Sequence, residues 1–552
     1  MSFITDTKNQ HVSVEANVNL KIKDHTTNKI ISSTYVSTGE TVLQTIPMQN
    51  CLNKMINPNT LSMRSPDILK LLKPANEEQK EQKEHDQINC YLIQNFQLLL
   101  DEIPQELLNL PYGVYPNQQS LYNDARFIYN KLLNYFPHAI FYPHNIKEIS
   151  YLIKWLTKYN LKFALRCGGH SYEAASLSSG YIINVTKLPS YVIVNKNRTS
   201  VRVSAGLKLG YIIEELAKHS LITPTGENAC VGVSGLSLAG GKGNLTRIYG
   251  LTCDNILSLK MINDKGEVVT ANANTNSDLF WACKGAGPCN FGVITEIELK
   301  VYEDIYVQIE TLTWTWNSDH AKEIYNLYQE WILDLPDKIT GDFNMTFDNK
   351  NASFKIKFKK FGKSDFTENN IFKKLYNPSI TYCQGFYSQI LDCWVDFDKG
   401  LNPPFSKIKS NMIFKPINQI AINTLVESID YYLTKGYKIN YQINFSQLGG
   451  AVKKGDSSYF PKDAIMVLSY FMQWSYPELT DILKYHLKKI YDKVKPFTSI
   501  YCFPNLIDYD LKDYMLQYYG NNQNKLRKIK KKYDPQNKFK YFQSIPIKKP
   551  II

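Results

Sequence analysis

His170 closes the run Cys167-Gly-Gly-His170, which follows an apolar segment, Lys162-Phe-Ala-Leu-Arg166. Glycines at such a place let backbone N–H groups approach an anion closely and form a small concave donor site. Two further glycine-rich stretches follow, Gly232-Val-Ser-Gly-Leu-Ser-Leu-Ala-Gly-Gly-Lys-Gly243 and Gly285-Ala-Gly-Pro-Cys-Asn-Phe-Gly292. Each alone suits an ordinary turn. Together they point to backbone wrapped around an extended ligand that bears a pyrophosphate. No GxGxxG opens a helix after the first strand with an acidic residue downstream, so the spacing is not that of a Rossmann site. A large nucleotide held in a different fold fits better.

The elements that must position these loops follow from apolar spacing. A predicted helix, Tyr122–Phe136, leads into the strand Ala139–Tyr142, closed by Pro143; a second helix, Ile146–Tyr159, leads into the strand 162–166. Farther on, strands predicted at Val307–Trp316, Asp342–Phe347, Ser353–Phe361, Ile439–Phe445 and Ala464–Trp474 alternate with helices near 319–334, 416–435 and 477–494. That order suits an antiparallel sheet backed by helices. Four regions result: an N-terminal extension, 1–120; a ligand-binding domain, 121–304; a second domain, 305–498; and a closing segment, 499–552. The extension shows alternating stretches at Val12–Ile22 and Ile30–Val42, a charged run at Asn76–Asp86, a helical stretch at Tyr91–Leu110, and no motif.

Specific motifs occur in order: Tyr122-Asn-Asp-Ala-Arg126, Arg166-Cys-Gly-Gly-His-Ser-Tyr172, Gly180-Tyr-Ile-Ile-Asn184 and Val231-Gly-Val-Ser-Gly-Leu-Ser-Leu-Ala-Gly-Gly241. Arg247-Ile-Tyr-Gly-Leu-Thr-Cys-Asp-Asn255, Asp278-Leu-Phe-Trp281, Asn290-Phe-Gly-Val-Ile-Thr295 and Lys532-Tyr-Asp-Pro-Gln-Asn-Lys-Phe539 continue the series. The series resembles the FAD-binding domain of vanillyl-alcohol-oxidase-type flavoproteins and, more narrowly, the berberine-bridge-enzyme-like branch. The resemblance spans about residues 120 to 548. It implies an α+β architecture: a PCMH-type FAD-binding domain of two α/β subdomains, and a substrate domain with an antiparallel sheet backed by helices.

By resemblance, His170 bonds covalently to the 8α-methyl of the flavin. Arg166, Cys167, Gly168, Gly169 and Ser171, with Gly232, Val233, Gly235, Gly240 and Gly241, cradle the pyrophosphate; Asn290, Gly292 and Ile294 complete the cofactor set. Tyr172 matches an aromatic hydroxyl on the substrate side, a base only if its pKa is lowered or a positive group adjoins it. Val231 matches the position that controls oxygen approach, where valine accompanies oxidases. Many relatives carry a second tethering cysteine where this chain has Asn228. Cys230 is offset by two and reaches the ring only if the loop shifts, so single attachment is expected. Gln442 and Asn444 stand where a strand often carries the catalytic side chain, and neither amide takes a proton. Tyr501-Cys-Phe-Pro504 replaces an aromatic–Asn–aromatic motif, with Tyr501 the site residue if a one-residue gap is allowed.

Composition sets the outer bounds. At 552 residues, 43% hydrophobic and 13% aromatic, the chain suits two or three packed domains. Ten cysteines include no CxxC pair and no zinc-like spacing with histidine, which reads as reduced, mostly buried thiols and no metal. No apolar run approaches the ~18 residues of a membrane span, and the N-terminus lacks a secretory pattern. An intracellular or virion-associated protein is expected. The net charge of +13 owes much to Lys525–Lys532, read as a solvated helix face or as a surface for nucleic acid. Two functions result. One is an oxidase passing hydride from an alcohol or sugar to FAD and electrons to dioxygen, with homo-oligomers allowed. The other is a flavoprotein fold recruited as a packaging component, for example of a large DNA virus particle.

Overall fold

The computed structural model describes residues 99–548 except 287, 364–369 and 396–403, together with the backbone of five short strands between Ser2 and Pro47. Those five form a two-stranded and a three-stranded antiparallel sheet. The charged run at 76–86 and most of the helical stretch from 91 lie outside the described residues.

The strand–helix–strand rhythm of the sequence folds as a parallel unit. Ala139–Phe141 and Phe163–Arg166 both pair in parallel with Tyr181–Asn184. The helix Ile146–Lys158 is capped by the Asn145 side chain and buries Ile149, Leu152, Ile153 and Leu156 at helical spacing. Gly113–Val114 adds a fourth, antiparallel strand, and Leu107, Tyr112 and Tyr115 pack into the same core. This sheet therefore recruits residues before 121, a contribution the predicted boundary missed because the strand is only two residues long. The predicted helix Tyr122–Phe136 is also shorter: Gln119–Arg126 is helical and Phe127 is extended. Buried Arg126 bonds Asn123 Oδ1, Asn134 and the Tyr135 carbonyl, and so folds the following segment back on the helix.

A second, five-stranded antiparallel sheet runs in the order Val192–Val194, Ser200–Ser204, Val293–Lys300, Ile256–Ile262 and Val268–Asn272. These two sheets form the cofactor-side half.

The other half is a seven-stranded antiparallel sheet. Its order is Ser379–Phe386, Tyr306–Thr315, Asn351–Phe361, Ile339–Asp348, Ile439–Gln447, Met466–Trp474 and Phe405–Ile413. Helices Ser318–Trp331, Gln419–Lys435 and Thr480–Val494 cover one face, where Phe343, Phe354, Tyr441, Ile443 and Phe445 meet Ile422, Leu425 and Leu483. Period-two alternation turns the intervening residues to the opposite face. Phe405–Ile413 was not anticipated: its lysines and serines hide a strand whose polar side chains are buried.

The closing segment packs back on the cofactor half, where Met515, Leu526, Ile529 and Ile545 join its core. Much of the basic run is spent there. Lys530 is fully buried against Asp534, Lys532 pairs with Asp278 at 2.8 Å, and Lys525 sits 3.6 Å above the Trp281 ring. The expectation of uniformly reduced thiols needs correction too. Cys383 and Cys393 form a disulfide, because an edge strand and the turn after it bring their Cα atoms to 6.5 Å. Spacing in the chain gave no sign of this. Among the described residues no acidic, histidine and cysteine cluster suits a metal, and no helix is long and apolar enough to cross a membrane.

Candidate active site

A cleft of about 670 Å³ lies between the cofactor half and the uncovered face of the seven-stranded sheet. Its first wall is backbone. The loop after Arg166 and the loop before the helix Val233–Ala239 touch through glycines: a Cβ on Gly168 would collide with the Gly232 nitrogen, and one on Gly232 with Gly168 and Cys167. Gly169 adopts φ +69°, the left-handed conformation that favours glycine. At Gly235 a Cβ would meet nothing within 4 Å, since that position opens on the cleft.

Arg166, Cys167, Gly168, Gly169, His170, Ser171, Asn228, Val231, Gly232, Gly235, Gly292 and Ile294 all line the cleft, as predicted for the cofactor set. Five of that set do not. Val233 is buried beneath the cradle, Gly240 and Gly241 turn the chain behind it, and Asn290 accepts a hydrogen bond from Ile545 N that anchors the closing segment. Cys230 stays off the cleft wall as well; its N–H donates to the Asn228 side chain at 3.0 Å.

These residues fit an FAD. Ser171 Oγ and Ser176 Oγ are buried at the cleft without a hydrogen-bond partner. The Arg166 guanidinium donates only to carbonyls of Ala125, Arg126 and Ser176, and burial lowers its pKa to about 10. An anion in the cradle would offset that uncompensated charge. The His170 ring stacks on Tyr129 with centroids 4.7 Å apart and planes at 20°.

The second wall is side chain. On Ile439–Gln447, Gln442 and Asn444 face the cleft while Tyr441, Ile443 and Phe445 face the helices. Asn444 accepts from Asn344 Nδ2 at 2.6 Å; Gln442 donates to Asn440 at 2.9 Å. Ser469, Phe471 and Gln473 alternate on the next strand and line the same wall, with Gln473 Nε2 3.5 Å from the Tyr129 hydroxyl.

Of the two tyrosines expected to be catalytic, one lines the cleft and the other does not. Tyr172 lines the cleft edge-on to Phe471, where burial pushes its phenol above the ordinary value and Tyr129 adds to the shift. Tyr501 leaves the site altogether, its ring edge-on to Phe414 and Phe460 and its carbonyl held by Met412 N; Phe503 takes the wall instead.

Sequence reasoning missed Tyr129, Glu227, Lys242, Ser469, Gln473 and Asn505, all on the cleft wall. Alternation along Met466–Trp474 could have found Ser469 and Gln473. Asn505 accepts from Gly241 N and donates to Leu236 O, pinning the closing segment to the cradle. Such loop residues carry no local pattern.

Comparison with known proteins agrees with this geometry. An FAD binding domain family matches residues 137–272, and the family described as berberine and berberine like matches residues 502–546. The FAD-linked oxidoreductase YgaK of Bacillus subtilis is 30% identical over 447 residues, covering 77% of this chain and 94% of its own length. Berberine bridge enzyme-like 24 of Arabidopsis thaliana is 25% identical, covering 74% and 83%. Among solved structures, BBE-like 1 of Physcomitrella patens superposes with a TM-score of 0.71 at 24% identity, over 79% of this chain and 97% of its own. A xylooligosaccharide oxidase from Myceliophthora thermophila in complex with xylobiose reaches 0.70 at 20% identity, over 78% and 96%. The alternative of a recruited packaging component gains no support from these relatives. With the cradle, the cleft and the covering sheet in the expected places, the chain belongs to the berberine-bridge-enzyme-like family of FAD-linked oxidoreductases.

Proposed function

We propose that this oxidoreductase is an oxidase that carries FAD bonded to His170 and removes hydride from the C–H of an alcohol or carbohydrate, with dioxygen as acceptor. The observation that carries this reading is the chemistry of the second wall. Gln442, Asn444, Ser469 and Gln473 present amides and a hydroxyl to a cleft large enough for a substrate beside the flavin. Such groups both donate and accept, which suits a ligand rich in hydroxyls. The structural neighbours that act on oligosaccharides support the same reading.

Bound FAD would supply a two-electron acceptor. The chain supplies binding, orientation and proton handling. His170 lies at the cleft beside the glycine cradle, which supports its role as the tether. Tyr172, kept protonated by burial, serves as a hydrogen-bond donor to substrate oxygen. Val231 lines the cleft, which supports a role in controlling oxygen approach. Acid denaturation followed by removal of free flavin tests the tether. Wild-type protein should stay yellow and carry one FAD mass, and His170→Ala should lose both. Peroxide release with a panel of sugars and alcohols then tests the oxidase; colourless wild-type protein would sink the covalent link.

A further inference from the structure

With His170 assigned to the tether, the cleft offers little that can take a proton. Gln442 and Asn444 are amides, and Tyr172 is pushed upward by burial. The Cys167 and Cys289 thiols donate to the carbonyls of Ala205 and Leu165, and burial raises Cys289 to about 12. Among the described residues that line the cleft, Glu227 is the one carboxylate. It sits in the loop just before Asn228, on the cofactor wall, and its side chain is 36% exposed.

Three charged side chains of the sheet, Lys357, Lys359 and Asp342, stand on the side of it away from the cleft lining. Lys359 Nζ lies 3.9 Å from Glu227 Oε1 but is committed to Asp342 at 2.7 Å. Lys357, from the same strand as Lys359, and the Tyr387 hydroxyl also feel the Glu227 charge, while Lys242 acts on Asp342 from the cofactor side. Glu227 is thus steered by a cation without being locked to it, and its carboxylate keeps acceptor sites for a substrate.

We infer that Glu227 is the general base of the reaction, resting on the oxidase reading above. The substrate O–H breaks and its proton passes to the Glu227 carboxylate. The adjacent C–H breaks with its electron pair going to the flavin, and the C=O forms. The pair, the hydrogen it carried and the proton from Glu227 end on dioxygen as hydrogen peroxide. Lys359 and Asp342 are positioning residues that hold the carboxylate toward the cleft.

The test compares wild type, Glu227→Gln and Glu227→Asp, each loaded with flavin, on the sugars and alcohols that wild type oxidises. General-base catalysis contributes about 10²–10⁴-fold. Glu227→Gln should therefore lose at least about 100-fold in kcat with KM within a few-fold. Its flavin content and absorbance should match wild type, and the acid limb of its kcat/KM profile should vanish. Glu227→Asp should recover part of the rate and keep the limb. Glu227→Gln within twofold of wild type overturns the inference and leaves the oxidase reading standing. A loss of rate with the acid limb intact also overturns it, by showing a structural role. Wild type inactive on the whole panel overturns the oxidase reading and this base with it.

Discussion

The two walls of the cleft are built on different physics. The cofactor wall is backbone: Gly168 and Gly232 approach so closely that neither tolerates a side chain, and Gly169 needs a left-handed φ. Any residue but glycine is excluded there for steric reasons. The substrate wall is a pleated face on which every second residue is free to vary, as long as its neighbours keep the helix-side core. One wall is thus committed to a single ligand. The other can be rewritten for new substrates without disturbing the fold, and in this chain it carries amides where a base was sought.

The join between the walls should be the most sensitive point. Lys407 of the sheet pairs with Glu173 at 2.5 Å, next to Tyr172 on the cofactor side, and with Asp508 of the closing segment at 2.8 Å. Burial alone would lower this lysine, but Asp508, Glu173 and Asp510 outweigh it and hold the ammonium above its ordinary value. Lys407→Met leaves the buried Glu173 carboxylate without its lysine, while Asp508 keeps Lys409, and the expected loss is about 3–5 kcal/mol. Chemical denaturation should show it; a change under 1 kcal/mol would mean that the Lys407 pairs contribute little to the join.

The cofactor wall comes next. Gly232→Ala forces a methyl into Cys167 and Gly168. Overpacking of this kind costs about 1–3 kcal/mol, enough for roughly tenfold weaker FAD binding before the proposed tether forms and so a lower flavin load. Flavin-to-protein absorbance measures it. An alanine variant that fills normally would show that the cradle can relax and would blur the contrast drawn here.

The smallest effect belongs to the substrate half. Burial opposes ionisation of Asp342, but Lys359 and the backbone N–H of Gln447 prevail and bring it down from 3.8 to about 2. The folded value lies below the unfolded one, so this stabilisation is present above about pH 4 and is lost as pH falls toward 2. The amount is roughly 2 kcal/mol. Denaturation midpoints between pH 5 and 2 should fall less steeply in Asp342→Asn than in wild type. Equal slopes would show that the pair adds nothing.

The cofactor site was largely legible in the sequence because its requirements are local. Glycine at 168, 169 and 232 is the identity that a phosphate-approaching loop demands, histidine at 170 closes the first run as the proposed tether would require, and all four sit in short runs. The strands of the substrate sheet were legible as well, since apolar residues recur at period two; the core at Phe343, Phe354 and Phe445 follows from that alternation. Phe405–Ile413 was not, because lysines buried in ion pairs break the hydrophobic signal that marks a strand.

The sequence by itself determined the family, the cofactor cradle and the two-faced sheet, all of which rest on residue type and spacing within a few turns of chain. Tertiary structure decided the rest. It moved Tyr501 off the cleft and set Phe503 in its place, bonded Cys383 to Cys393, and buried Lys530 against Asp534. It also brought Glu227 of a cofactor-side loop beside Lys359 of a distant strand. Contacts between residues far apart in the chain depend on how sheets and loops are docked, and no local pattern records that docking.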